Sequence, residues 1–178
     1  LAGALALLVS ANSYAQKQNE LSDAEIASVA VVANQVDIDY AKVAEKKSKN
    51  SEVLNFAKTM ASDHQAVIVQ AVALVTKLGV TPKDNDLSKK LLADAETTKK
   101  KLNALSGREF DKAYIENEVA YHKAVISVVE TMLVPQSDNA ELKALLQKVL
   151  PVLRTHLEHS EQVLDAVVHN KKVSHGSH

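Results

Sequence analysis

The sequence predicts an all-α fold: four long amphipathic helices packed as a four-helix bundle, with a short helix crossing between the second and third. Two observations carry this. Apolar residues recur at 4-3-4-3 spacing in four separate segments, the period of a helix that buries one face. The 178 residues include only 4 Gly and 3 Pro, which leaves little material for hairpins and suits long helices.

Each element has its own start or stop signal. Ser22 and Glu25 form a capping-box pattern with Leu21 and Ile26 as the hydrophobic staple, opening a first helix that runs to about Lys46. Lys46 to Asn50 is a polar turn, and Asn50 or Ser51 can cap the second helix. That helix runs to about Leu78, with Gly79 in the C′ position and Pro82 beyond. A shorter, Lys-rich amphipathic helix is expected from about Leu87 to Leu105. Ser106 and Glu109 make a second capping-box pattern, opening a long helix to about Leu133 that Pro135 interrupts. Asp138, with Glu141 three residues later, is expected to cap the last helix, to about His169, with a kink at Pro151.

Four of the apolar stripes carry a polar residue where an aliphatic one belongs. Asp37 follows Ile26, Ala30 and Ala33; His64 follows Val53, Ala57 and Met60; His122 follows Ile115 and Glu118; His156 follows Leu146, Val149 and Leu153. One buried imidazole is ordinary. Three imidazoles and one or two carboxylates aimed at one axis need a shared partner, because each unpaired buried polar group costs about 1–3 kcal/mol. A transition-metal ion is the simplest such partner. Asp37, His64, His122 and His156 match a four-coordinate site, with Glu118 as a fifth ligand or an acceptor behind His122, and with His159 as a further candidate. Neutral imidazoles suit Zn, Cu or Fe, and one carboxylate does not choose among them. Asp63 is about 100° round the helix from His64 and is expected at the surface or behind a ligand. Met60 is first a core residue, and Tyr40 and Tyr114 are expected to pack near the axis with their hydroxyls partnered.

The second and third long helices echo one another, Phe56 to Ile68 aligning with Tyr114 to Ile126 so that His64 and His122 coincide. If the short helix crosses back, these two helices run parallel and the two histidines face each other at one height, the arrangement of ferritin-like bundles. Counted from the connecting turns, Asp37 is about 6 Å and His156 about 9 Å off that level. A di-iron oxidase pattern is incomplete, since the residues three before His64, His122 and His156 are Ala61, Val119 and Leu153 rather than Glu.

Residues 1–15 read as the remnant of a signal peptide: an apolar run ending in Ser13-Tyr14-Ala15, with small residues at −3 and −1 before Gln16. The mature chain, 16–170, is then the bundle, exported to the periplasm or an equivalent compartment, with no membrane span; 171–178 is a polar, disordered tail. The absence of Cys leaves packing, and metal, to stabilise it. A formal charge of −1 and 3% aromatics give no footprint for nucleic acid.

Met60-Ala-Ser-Asp-His64, Phe110-Asp-Lys-Ala-Tyr114-Ile and Leu150-Pro-Val-Leu-Arg-Thr-His156-Leu carry a resemblance to the bacterial exported family known as domain of unknown function 4142. The likeness covers about residues 22–168 and implies a ferritin-like helical fold and an acidic residue in the first helix, which Asp37 matches. Where that family often repeats Met-x-x-Asp-His in the third long helix, this chain has Glu118 and Tyr121, a departure from a thioether-assisted copper site.

The expected function is metal binding at the bundle axis, in metal homeostasis or envelope stress protection, with the protein partner unspecified. Two other readings stand beside it: a structural or interaction protein of the envelope whose histidines only pack, and a metal-dependent redox enzyme. Enzymatic turnover is the less expected outcome.

Overall fold

The computed structural model describes residues 20–169, which are helical apart from short connections. The leader assigned to 1–15 and the tail assigned to 171–178 lie outside the described residues. Five principal helices follow one another: α1 (Asp23–Lys47), α2 (Ser51–Leu78), α3 (Asp86–Asn103), α4 (Gly107–Val128) and α5 (Ala140–His169). A π-helical turn, Val129–Leu133, and a last turn, Val134–Gln136, extend α4.

Local chemistry sets most of these ends. The Ser22–Glu25 capping box forms, and Asp23 and Glu25 lie at the positive end of the α1 dipole. The Asn50 side chain accepts the N–H groups of Glu52 and Val53, and Gly79 closes α2 in the left-handed conformation at φ 65°. Asn85 and Ser88 make the capping box of α3.

Three boundaries differ from expectation. Ser106 makes no side-chain capping bond, because Gly107 turns the chain at φ 56° where the box would form. Asn139, not Asp138, caps α5: its Oδ1 accepts Glu141 N–H at 2.9 Å and Leu142 N–H at 3.0 Å. The Asp23 carboxylate reaches across to accept the N–H groups of Asp138 and Asn139, each at 3.0 Å. Pro135 does not end the helix at Leu133 either. The π turn precedes it and the chain stays helical to Gln136, the wider turn accommodating a ring that an α-helical ladder would exclude. At Pro151, α5 continues through.

Contacts between helix ends give the directions. Asn85 Nδ2 donates to Glu25 O at 3.1 Å and Lys47 Nζ to Asn103 O at 2.7 Å, so α3 runs parallel to α1. Ser48 Oγ donates to Asp111 Oδ1 at 2.6 Å, placing the start of α4 at the end of α1. Since α2 also starts there, α2 and α4 are parallel. Arg108 donates to the Val167 and Val168 carbonyls, setting α5 antiparallel to α4. α1 packs on α2, α2 on α5, α5 on α4 and α4 on α1, with α3 laid against α1 and α4.

Two apolar cores fill this bundle. One gathers Tyr40, Phe56, Met60, Phe110, Tyr114 and Val163; the other gathers Ile26, Val29, Ile126, Leu133, Leu146 and Leu153. On α2 and α4, His64, Glu118 and His122 fall between the main members of the two sets, and on α1 Asp37 falls between Val36 and Tyr40 of the first; these polar positions form a layer where the cores meet. No helix among the described residues is long and apolar enough to cross a membrane.

Candidate metal centre

Asp37, His64, Glu118, His122 and His156 are all buried, between 0% and 4% exposed, in the layer between the two cores. The imidazoles of His64, His122 and His156 come together, with ring centroids 5.6 Å (64–122), 5.1 Å (64–156) and 5.6 Å (122–156) apart. The parallel run of α2 and α4 brings His64 and His122 face to face, as their matching sequence positions predict. The height offsets expected for Asp37 and His156 do not keep them away.

One nitrogen of each ring is held by an acceptor. Asn34 Nδ2 donates to Ala30 O at 2.7 Å, which turns its Oδ1 toward His64 Nδ1, also at 2.7 Å. Since the amide oxygen only accepts, Nδ1 carries the proton. His122 Nδ1 donates to the Glu118 carbonyl at 2.9 Å, and His156 Nε2 to Asp63 Oδ2 at 3.0 Å. The remaining nitrogens are His64 Nε2, His122 Nε2 and His156 Nδ1. All three are buried without a hydrogen-bond partner in the protein, and so are both carboxylate oxygens of Asp37 and of Glu118. Among the described residues the other such atoms are Tyr114 OH and Asn117 Nδ2, both on α4 within one turn of Glu118. At about 1–3 kcal/mol each, this many stranded atoms would rival the entire stability of a domain, about 5–15 kcal/mol. Three imidazole nitrogens and four carboxylate oxygens of this layer are thus left for a shared partner.

The candidate ligand atoms converge. Ligand atoms of His64, His122 and His156 lie within 4.8 Å of one another, and so do those of Asp37, Glu118 and His122; either group could hold a metal ion. Two nitrogens bound to one ion are at most about 4.2 Å apart, so closure on an ion requires shifts of less than about 1 Å. Asp37 Oδ2 lies 3.4 Å from His64 Nε2 and 3.6 Å from His122 Nε2, beside both free nitrogens. Glu118 Oε2 is 3.7 Å from the other nitrogen, His122 Nδ1. That places its carboxylate behind the ring.

Burial drives every member toward its neutral form. It raises Asp37 to about 8 and holds Glu118 well above the usual carboxylate range, with Asp37 adding to the latter. It lowers His122 to about 4, His64 well below the usual histidine value with His122 and His156 adding to the effect, and His156 against the opposing pull of Asp63. At pH 7 the Asp37 contacts are thus between neutral groups and are not ion pairs. Neutral imidazoles are in the form that ligates.

His159 is not brought to the cluster. Three residues past His156 it turns to the flank of α5, where its ring meets the edge of Phe56 at 5.1 Å. Met60 is fully buried in the aromatic core, and Tyr114 OH, contrary to expectation, has no partner. Sequence reasoning missed Asn34. Its signal was available: a polar side chain one turn before Asp37 on the same face of α1.

Fold and site together define a helical-bundle protein with a buried histidine–carboxylate cluster able to hold a metal ion. The chain belongs to the DUF4142 family, a domain of unknown function, whose sequence profile matches residues 9–163. No curated protein and no solved structure matches it.

Proposed function

We propose that this chain is an exported, ferritin-like four-helix bundle, with α3 as its crossover helix, that binds one transition-metal ion between its two cores. His64 Nε2, His122 Nε2, His156 Nδ1 and Asp37 Oδ2 are the ligands. Asn34, the Glu118 carbonyl and Asp63 hold the rings, and the Glu118 carboxylate backs His122. The observation that carries this is the division of labour in three rings from three helices: one nitrogen anchored, the other free and converging. Packed histidines would gain from bonding both nitrogens, whereas outer partners that fix one nitrogen are what metal-bound histidine uses. Such a bundle serves metal homeostasis or envelope stress protection by holding the ion, and three histidines with one carboxylate accommodate Zn, Cu or Fe.

Elemental analysis and calorimetric titration with Zn²⁺, Cu²⁺ and Fe²⁺ test the reading, using protein purified without an affinity tag and lacking His175 and His178. About one ion per chain, lost when His64 or His122 is replaced by Leu, is the expected result. A protein that takes up none of the three metals returns the histidines to a packing role.

A further inference from the structure

We infer that the cavity adjoining the histidine layer is a binding site for an unbranched apolar molecule that ends in a carboxylate, its chain lying along the bundle and its head at the metal centre. The head's role rests on the metal reading above; the chain's site does not. The cavity has a volume of about 320 Å³ and reaches from Tyr40 past the ligand layer to Leu133 and Leu142, within the size range of small-molecule sites.

Its two ends differ in chemistry. Around the layer it is lined by Asp37, His64, His122 and His156, whose free atoms are at least nine-tenths buried and lack partners. Tyr40, Asp94 and Thr98 line it on one side of the layer; on the other, toward Leu133, the wall is aliphatic, and alanines stand where larger side chains would fill the bundle: Ala30 and Ala33 on α1, Ala71 on α2. From His64 to Val75, which also lines it, α2 rises about 16 Å, room for an extended chain rather than a ring. A cavity walled by aliphatic groups stays dry and takes apolar molecules. One with ligating atoms at a single end matches a molecule that is itself polar at a single end. The exposed Ala120 and Ala124 of α4 line it opposite Leu91 of α3, which gives it an opening along the α3–α4 seam.

Titrating the full chain with decanoate tests this, with metal content measured on the same samples. Ala30→Leu and Ala71→Leu each add bulk two turns from the nearest ligand. Decanoate should bind metal-loaded protein at about one per chain, and more than about tenfold more weakly in each variant, with metal content and melting temperature retained. Decanol, whose hydroxyl needs no ion, should bind metal-free wild-type protein and weaken likewise in the variants. Should the samples hold no metal, the metal reading fails, and decanol alone then judges the cavity. Decanoate affinity unchanged by both substitutions, no decanoate binding to protein that does hold its metal, or decanol binding that ignores the filled cavity overturns the inference.

Discussion

His64 Nδ1 and Asn34 Oδ1 lie 2.7 Å apart, and this contact decides which edge of the imidazole is free. With the Asn34 amide fixed by Ala30 O at 2.7 Å, the proton stays on Nδ1 and Nε2 points toward Asp37. Replacing Asn34 by Leu removes the anchor and leaves every proposed ligand in place. Metal affinity should fall by about 10–100-fold, as for other outer partners of metal-bound histidines. Isothermal titration of the variant checks this, and unchanged affinity would show that Asn34 does not orient the ring.

The same residues test ligation against packing through stability. In metal-free protein, His64→Leu and His122→Leu exchange a half-partnered imidazole for an aliphatic group and should leave melting temperature unchanged or higher. Were these histidines essential partners of Asp37 and Glu118, each change would destabilise by about 1–3 kcal/mol. Chemical denaturation of the chelated proteins separates the two.

Stability of the metal-free protein should fall as pH rises from 6.5 to 8. His122 titrates at about 4 when folded and 6.5 when unfolded, so between those values the unfolded chain holds the extra proton and stability rises with pH. His64 and His156 shift the same way. Asp37 is raised from 3.8 to about 8, so there the folded chain holds the extra proton. Its contribution is complete below 3.8 and is lost as pH rises through 8. Glu118 shares that direction. Above pH 6.5 the unfolded histidines have given up their protons and the carboxylates dominate, so stability falls. Urea titrations at pH 6.5 and pH 8 check this; a rise between them would contradict it.

The raised Asp37 also predicts proton release on metal binding at pH 7, because the ligand must be deprotonated first. Calorimetric titration in buffers of different ionisation enthalpy reads the number directly. About one proton per ion is expected if Asp37 alone ligates, about two if Glu118 is also ionised, and none if neither carboxylate joins the site.

How much of this was legible in the sequence follows the range of the interactions. Ser22, Asn50 and Gly79 act within one turn of their own helices, and reading them locally placed those ends within a residue or so. Asp138, with Glu141 three residues on, reads as the cap, because nothing local reveals that Asp23, more than a hundred residues earlier, takes the N–H groups at that turn. The stripe positions of Asp37, His64, His122 and His156 showed that they point inward. That they meet depends on how deep each helix starts in the bundle, which counting from turns cannot supply. His159 shares the flank of the stripe, and only the packing of Phe56 against it separates it from its neighbour.

Thermal protection by metal should track the site rather than the tail. An ion binding only the folded chain adds RT ln(1 + [L]/Kd), about 2.7 kcal/mol at a hundredfold excess over Kd. Removing the tail histidines should leave that gain intact.

The central claim, one ion held by three free histidine nitrogens and Asp37, is tested most directly by metal stoichiometry in the tail-trimmed protein and its His64→Leu variant, side by side. The account predicts about one tightly held ion per chain in the first and none in the second. An equal metal content in both proteins, or none in either after exposure to Zn²⁺, Cu²⁺ and Fe²⁺, would contradict it.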